Sequence, residues 1–123
     1  MWFHLVNVAV FLLILVGAFM HHRRDLHVKV MLTAFALDLA LLLAVELTNS
    51  AVARAYRDVG AGNAVTTIHV AFAISGLVMW IVQIVVGRKI YKQGRRELLP
   101  RHAKGARLFL VFRLGNVVTA FML

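Results

Sequence analysis

Four apolar runs, Trp2 to Met20, Val28 to Leu47, Ala64 to Gly87 and Ala106 to Leu123, take up most of this chain. Each approaches the roughly 20 residues with which an α-helix, rising about 1.5 Å per residue, crosses the hydrocarbon of a bilayer. Lipid offers no partner for backbone polar groups, so runs of this kind cross as helices. The expectation is an all-α, integral membrane four-helix bundle, up-down-up-down, formed as one domain over residues 1–123 with spans at about 2–20, 28–47, 64–87 and 106–123. With 62% of the 123 residues hydrophobic and gathered into these runs, no stretch is left for a soluble catalytic domain. Any chemistry belongs inside the bundle or at its two mouths.

The first run is not expected to be a cleaved secretory leader. Its n-region lacks Lys and Arg, its basic residues follow the apolar stretch, and no A-x-A site precedes His21. The chain has no cysteine, which excludes disulfides, thiolate metal sites and covalently attached c-type haem.

A formal charge of +9 on a soluble surface would suggest nucleic acid, but here the basic residues are segregated by connection. Arg23, Arg24 and Lys29 flank the first, and Arg88, Lys89, Lys92, Arg95, Arg96, Arg101, Lys104 and Arg107 fill the third. The second carries only Arg54 and Arg57. By the positive-inside rule the first and third connections are cytoplasmic and both termini lie outside. The basic excess is thus read as a topology signal that also holds anionic lipid headgroups, at about 1 kcal/mol for each basic side chain. Membrane lipids and other membrane subunits are the expected partners, and nucleic acid is not.

The connections carry their own signals. The first, Met20 to Leu26, is short enough to force two antiparallel neighbours. The second predicts a short interfacial helix around Val52 to Asp58, broken by Gly60, Ala61, Gly62 and Asn63. The third, Arg88 to Lys104, contains Gly94 and the sole proline, Pro100. Trp2 and Tyr91 mark the interfaces.

Lipid tolerates few polar side chains, so their placement identifies the inward face of each span. Eleven residues return a helix to nearly the same angle. One stripe therefore takes in His27, Met31, Ala34, Asp38, Val45 and Asn49 in the second span, and another His102, Ala106, Phe109, Arg113, Asn116 and Ala120 in the fourth. The third presents His69, Phe72, Ala73, Gly76, Trp80 and Gln83, and the first His4, Asn7, Phe11, Leu15, Ala18 and His22. Asp38 and Arg113, each eleven residues beyond a histidine at the basic mouth, reach similar depth. They are expected to form an intramembrane ion pair, since either charge alone costs about 2.5–3.5 kcal/mol on insertion scales. Asn116 or Gln83 would add hydrogen bonds to it. The pair reads either as a structural clasp or as a proton relay or the counter-charge of a cofactor.

The histidines fall into two layers. His4 and His69 lie toward one mouth; His22, His27 and His102, with His21 beside them, lie toward the other. In an up-down-up-down bundle the first and third spans are diagonal, as are the second and fourth. Histidines at matched depth on diagonal helices can supply both axial nitrogens of a b-type haem. His4 with His69, and His27 with His102, satisfy this. Copper or another metal held by His22, His27 and His102, with Met20 or Met31 as a soft ligand, is the other cofactor compatible with these donors. The plain alternative is that His21 and His22 reach headgroups and His69 serves a structural hydrogen bond. Signatures of soluble enzymes are absent: there is no Gly-rich phosphate loop and no H-E-x-x-H, and Asp38 and Glu46 stand too far apart to share a proton. A non-catalytic role is expected.

HVKVMLTAF at His27, TIHVAFAI at His69 and RHAKGAR at His102 together resemble the domain of unknown function 420 family of small bacterial membrane proteins. One branch of that family assists assembly of haem-copper terminal oxidases. The resemblance covers about Leu26 to Ala120 and rests on a histidine with a methionine four residues on (His27, Met31), a histidine early in the next span (His69), and H-x-x-x-A-R leading into the last (His102, Ala106, Arg107). The chain departs from the family at Arg113, where aromatic residues are usual, and at Ala120, near which a glycine is usual. The resemblance implies an accessory or assembly protein of a respiratory haem-copper oxidase in the bacterial cytoplasmic membrane, handling haem or copper through intramembrane histidines. The alternatives are a b-type cytochrome subunit carrying electrons between quinol and a partner, and a structural subunit of a membrane complex.

Overall fold

A computed structural model describes residues 2–123, the side chain of Asn49 excepted. Among the described residues the chain forms five α-helices and no strand: α1 (Trp2–Phe19), α2 (Arg24–Asn49), α3 (Ala51–Gly60), α4 (Ala64–Gln93) and α5 (Leu99–Met122), with one 3-10 turn, Arg96–Leu98, before the last. α1, α2, α4 and α5 are long and apolar enough to cross a membrane, so the protein is a multi-pass helical membrane bundle. α1 packs along α2 and α5, and α4 packs along α5. α2 and α5 therefore stand on one diagonal and α1 and α4 on the other. α2 meets α4 through large side chains: Phe35 lies edge-on to Trp80 at 5.0 Å, and the Tyr91 hydroxyl donates to the Asp25 carboxylate.

The helix ends explain where the spans exceed the apolar runs. α4 continues six residues past Gly87, carrying Arg88, Lys89 and Lys92 on a helix of 30 residues. At about 45 Å it is longer than the hydrocarbon is thick, and its last turns belong among headgroups. It stops at Gly94, whose φ of 65° is left-handed, a conformation a glycine adopts without a Cβ clash. α5 begins earlier than its apolar run because Pro100 suits a first turn, where its missing N–H would be unbonded anyway. At the other mouth α3 runs Ala51–Gly60, slightly longer than expected. The Glu46 carboxylate accepts from Val52 N at 2.8 Å, placing negative charge at the positive end of α3. Asn63 caps α4 by accepting from Thr66 N at 3.1 Å.

The buried centre is Val10, Ile14, Ala34, Trp80 and Phe109, with Trp80 and Phe109 rings 4.9 Å apart. Large apolar residues such as Leu5, Phe19, Leu43 and Val111 point outward, as a lipid-facing surface requires. Lipid tails are as apolar as leucine, so helix association rests on close packing and polar bonds rather than on expulsion of water. Two glycines carry that packing. A Cβ at Gly17 would stand 2.6 Å from Met31 Sδ and 3.0 Å from Val30 Cγ1 across the α1–α2 seam, and one at Gly115 would stand 2.8 Å from the Phe72 ring across α4–α5. They also explain one correction. The buried line of α1 is Val10, Ile14 and Gly17, one position from the expected stripe, while His4, Asn7, Phe11, Leu15 and Ala18 flank it half-buried. Contact at the Gly17 backbone, not polarity, sets that face. The buried faces of α4 and α5 include Gly76 and Trp80, and Phe109, Arg113 and Ala120, all on the expected stripes. On α2, Ala34 is buried and Met31 and Asp38 half-buried. Asn49, assigned to the same stripe, lies outside the described side chains.

Candidate functional site

The inward polar groups form two clusters, one on either side of the aromatic layer of Phe35, Trp80 and Phe109. On α5, Phe109 lies between His102, toward the basic mouth, and Arg113, toward the other. The charged residues of α5 in that interval, Lys104 and Arg107, are exposed and bridge nothing across the layer.

The basic-mouth cluster is built on His27 and His102. The two rings come from diagonal helices, with centres 6.4 Å apart and planes at 86°. His27 Nδ1 lies 2.6 Å from the carbonyl oxygen of Gly17. A carbonyl only accepts, so Nδ1 carries the proton, and Nε2 of the neutral ring keeps its lone pair. His102 lies against Gly87, where a Cβ would stand 3.1 Å from the ring Cε1, and its Nδ1 is buried with no hydrogen-bond partner. Gln83 donates to the carbonyl oxygen of His102 at 2.8 Å and its amide packs on Gly105, fixing the first turns of α5 against α4. Met31 follows His27 by one turn, its sulfur against Gly17. His22 and His21 lie exposed in the connection beyond α1, their rings 5.9 Å from each other. α1 ends at Phe19, so His22 is carried by the turn rather than by an inward helical face.

The second cluster begins at Arg113, buried at 4% exposure. Arg113 Nη2 donates to Asp38 Oδ1 at 2.9 Å, joining α5 to α2 across the diagonal, and Nη1 donates to Asn116 Oδ1 at 3.0 Å. Its Nε is buried without a partner. Of the two amides expected to serve the ion pair, Asn116 does so and Gln83 does not: Gln83 sits on the far side of the aromatic layer, level with His102. Farther out, Thr119 donates its one hydroxyl proton back to its own helix, at Gly115 O 2.7 Å away. The 2.8 Å contact between Thr119 Oγ1 and His69 Nδ1 must then be donated by His69, which puts a ring proton on Nδ1. His4 stacks on Phe121 at 4.8 Å, so both histidines of this layer rest against the last turns of α5.

Sequence reading singled out the histidines, Asp38, Arg113, Asn116 and Met31 but missed three contributors. Thr119 orients His69; its hydroxyl, one turn past Asn116 on α5, was a readable signal. The carbonyl of Gly17 and the bare backbone of Gly87 leave no such signal, since a main-chain acceptor and a missing Cβ acquire meaning only when another helix is seen against them. No group of three or more His, Cys, Asp or Glu side chains converges among the described residues. What the geometry offers is a pair of imidazoles, His27 with its proton held at Gly17 and His102 with a buried, unbonded nitrogen.

Set against known proteins, the chain matches no family model, no curated protein and no solved structure.

Proposed function

We propose that this protein is an accessory or assembly factor of a respiratory haem-copper oxidase, which handles haem or copper at its basic mouth and is not itself an enzyme. The observation that carries the reading is the His27–His102 pair: two half-buried imidazoles from diagonal spans, set against each other at 6.4 Å, one with Nε2 left free by the bond to Gly17 and the other with a buried, unbonded Nδ1. One nitrogen of His27 is spent on the Gly17 backbone, whereas the buried Nδ1 of His102 bonds neither to the backbone nor to the facing ring. The resemblance of the His27, His69 and His102 segments to an oxidase-assembly family gives the pair its context. The proposed setting is the bacterial cytoplasmic membrane, termini outside, so that the pair faces the cytoplasm where the Lys and Arg residues collect.

Deletion of the gene should lower terminal oxidase activity together with the haem or copper content of the oxidase, and wild-type protein, but not a His27→Ala, His102→Ala variant, should restore both. Unchanged oxidase in the deletion strain would remove the assembly reading. Orientation is checked separately. With an impermeant thiol reagent on intact cells, a cysteine at Gly60, which has open space around it, should label, and one at Gln93 should not. A second reading, a b-type cytochrome subunit, draws on the presence of histidines at both mouths. It requires a Soret band and sharp reduced α and β bands in the purified protein, lost on replacement of His4 and His69 or of His27 and His102.

A further inference from the structure

We infer that the His27–His102 pair, assisted by the Met31 thioether, is a site for a soft monovalent metal ion, copper(I), rather than for a haem. The inference rests on the handling role proposed above and names what is handled.

The donors come first. The hydrogen bond from His27 Nδ1 to the Gly17 carbonyl is how ligating histidines are commonly oriented, the far nitrogen being anchored so that the near one is aimed and made more basic. His102 supplies a ring nitrogen shut off from solvent and bonded to nothing, a state that a buried polar atom holds at a cost unless something comes to it. An ion at about 2.0 Å from one nitrogen of each ring sets two opposed imidazole centres roughly 6.3 Å apart, against 6.4 Å here. Met31 stands one turn beyond His27 on the same helix with its sulfur against Gly17, and its flexible side chain can turn a soft donor toward the pair.

Charge then selects the ion. The donors are two imidazoles and a thioether, all neutral, and the nearest acid along α2, Asp25, is engaged by the Tyr91 hydroxyl. Arg23, Arg24, Lys29, Arg101 and Lys104 lie close by in sequence. Hard divalent ions want several oxygen ligands, and zinc wants four donors. A neutral soft set in a positive field favours the ion of lowest charge and greatest softness. A porphyrin, by contrast, must pass its whole plane between the two rings. The α1 backbone is already in contact with one ring at Gly17 and the α4 backbone with the other at Gly87.

The test uses the full chain in lipid nanodiscs, with copper(I) supplied anaerobically under ascorbate and competed against bicinchoninate, and with haem b titrated in parallel into the same preparation. One equivalent of copper(I) should be retained, with nitrogen and sulfur scatterers in its X-ray absorption spectrum. Affinity should fall at least tenfold in His27→Gln and in His102→Gln, severalfold in Met31→Leu, and not in His22→Ala. The glutamines keep an amide near the lost imidazole, and circular dichroism and gel filtration identify any variant that has lost its fold, for which Met31→Leu becomes the deciding variant. Copper retained in the double His27→Gln, His102→Gln variant would overturn the site. A Soret band that depends on both histidines, with no copper bound, would overturn copper while leaving the handling role intact. Binding of neither would overturn both.

Discussion

Arg113 shows why a charge can be carried into this bundle at all. Its guanidinium is all but sealed, and Asp38 and Asn116 take up two of its nitrogens. Removing either charge leaves the other exposed to an apolar interior, a loss of about 3–5 kcal/mol when a buried pair is broken in a soluble protein and nearer 2.5–3.5 kcal/mol on membrane insertion scales. Asp38→Asn and Arg113→Gln should each destabilise by about that smaller amount, and the double variant by less than their sum. A double-mutant cycle from denaturant unfolding in detergent should give a coupling above about 1 kcal/mol; additivity would show that the two charges do not support one another. Thr119 makes a subtler case. Thr119→Val keeps the shape but removes the hydroxyl oxygen that accepts from His69 Nδ1, which should lower stability by about 1 kcal/mol. Thr119→Ser should keep most of it, as the same unfolding measurement would show.

At the scale of elements, the seams between helices are set by absent side chains. Gly115 faces the flat of the Phe72 ring, and an aromatic ring cannot bend aside as a lysine tip can. Gly115→Ala should therefore part α4 from α5 and lower stability by about 1–3 kcal/mol, the usual penalty of overpacking. Gly60, at the end of α3, has nothing within 4 Å of the place a methyl group would take, so Gly60→Ala should change stability by less than about 0.5 kcal/mol. Equal effects at the two sites, compared by thermal unfolding in detergent, would mean that close packing does not hold this seam. Hydropathy placed all four spans but not the helix ends, because a helix stops where its backbone meets a cap such as Gly94, which can lie turns beyond the point where its side chains turn basic and leave the hydrocarbon.

Across the whole molecule, the aromatic layer of Phe35, Trp80 and Phe109 separates a histidine-lined mouth from a charged and hydroxyl-lined half. Trp80 is its keystone at 2% exposure, touching both other rings. Trp80→Ala should remove about 3–5 kcal/mol of packing and join the polar halves through a gap large enough for water. Proteoliposomes carrying the variant should leak protons faster than those carrying wild type, whereas Trp80→Phe should stay tight. Equal leak rates for Ala and wild type would show that the layer is not a barrier.

The apolar runs of about bilayer length, the segregated Lys and Arg and the eleven-residue spacing from His27 to Asp38 and from His102 to Arg113 were enough, as sequence alone, to define a four-span bundle and its central polar pair. These are properties of periodicity and of the solvent, and lipid penalises every other arrangement. Tertiary structure decided the rest. It gave Gln83 to the His102 carbonyl rather than to the ion pair, turned α1 onto Gly17, aimed Thr119 at His69 and set two imidazoles 6.4 Å apart. Each of those outcomes depends on how closely one backbone approaches another, and that distance is a joint property of two helices that neither writes in its own residues.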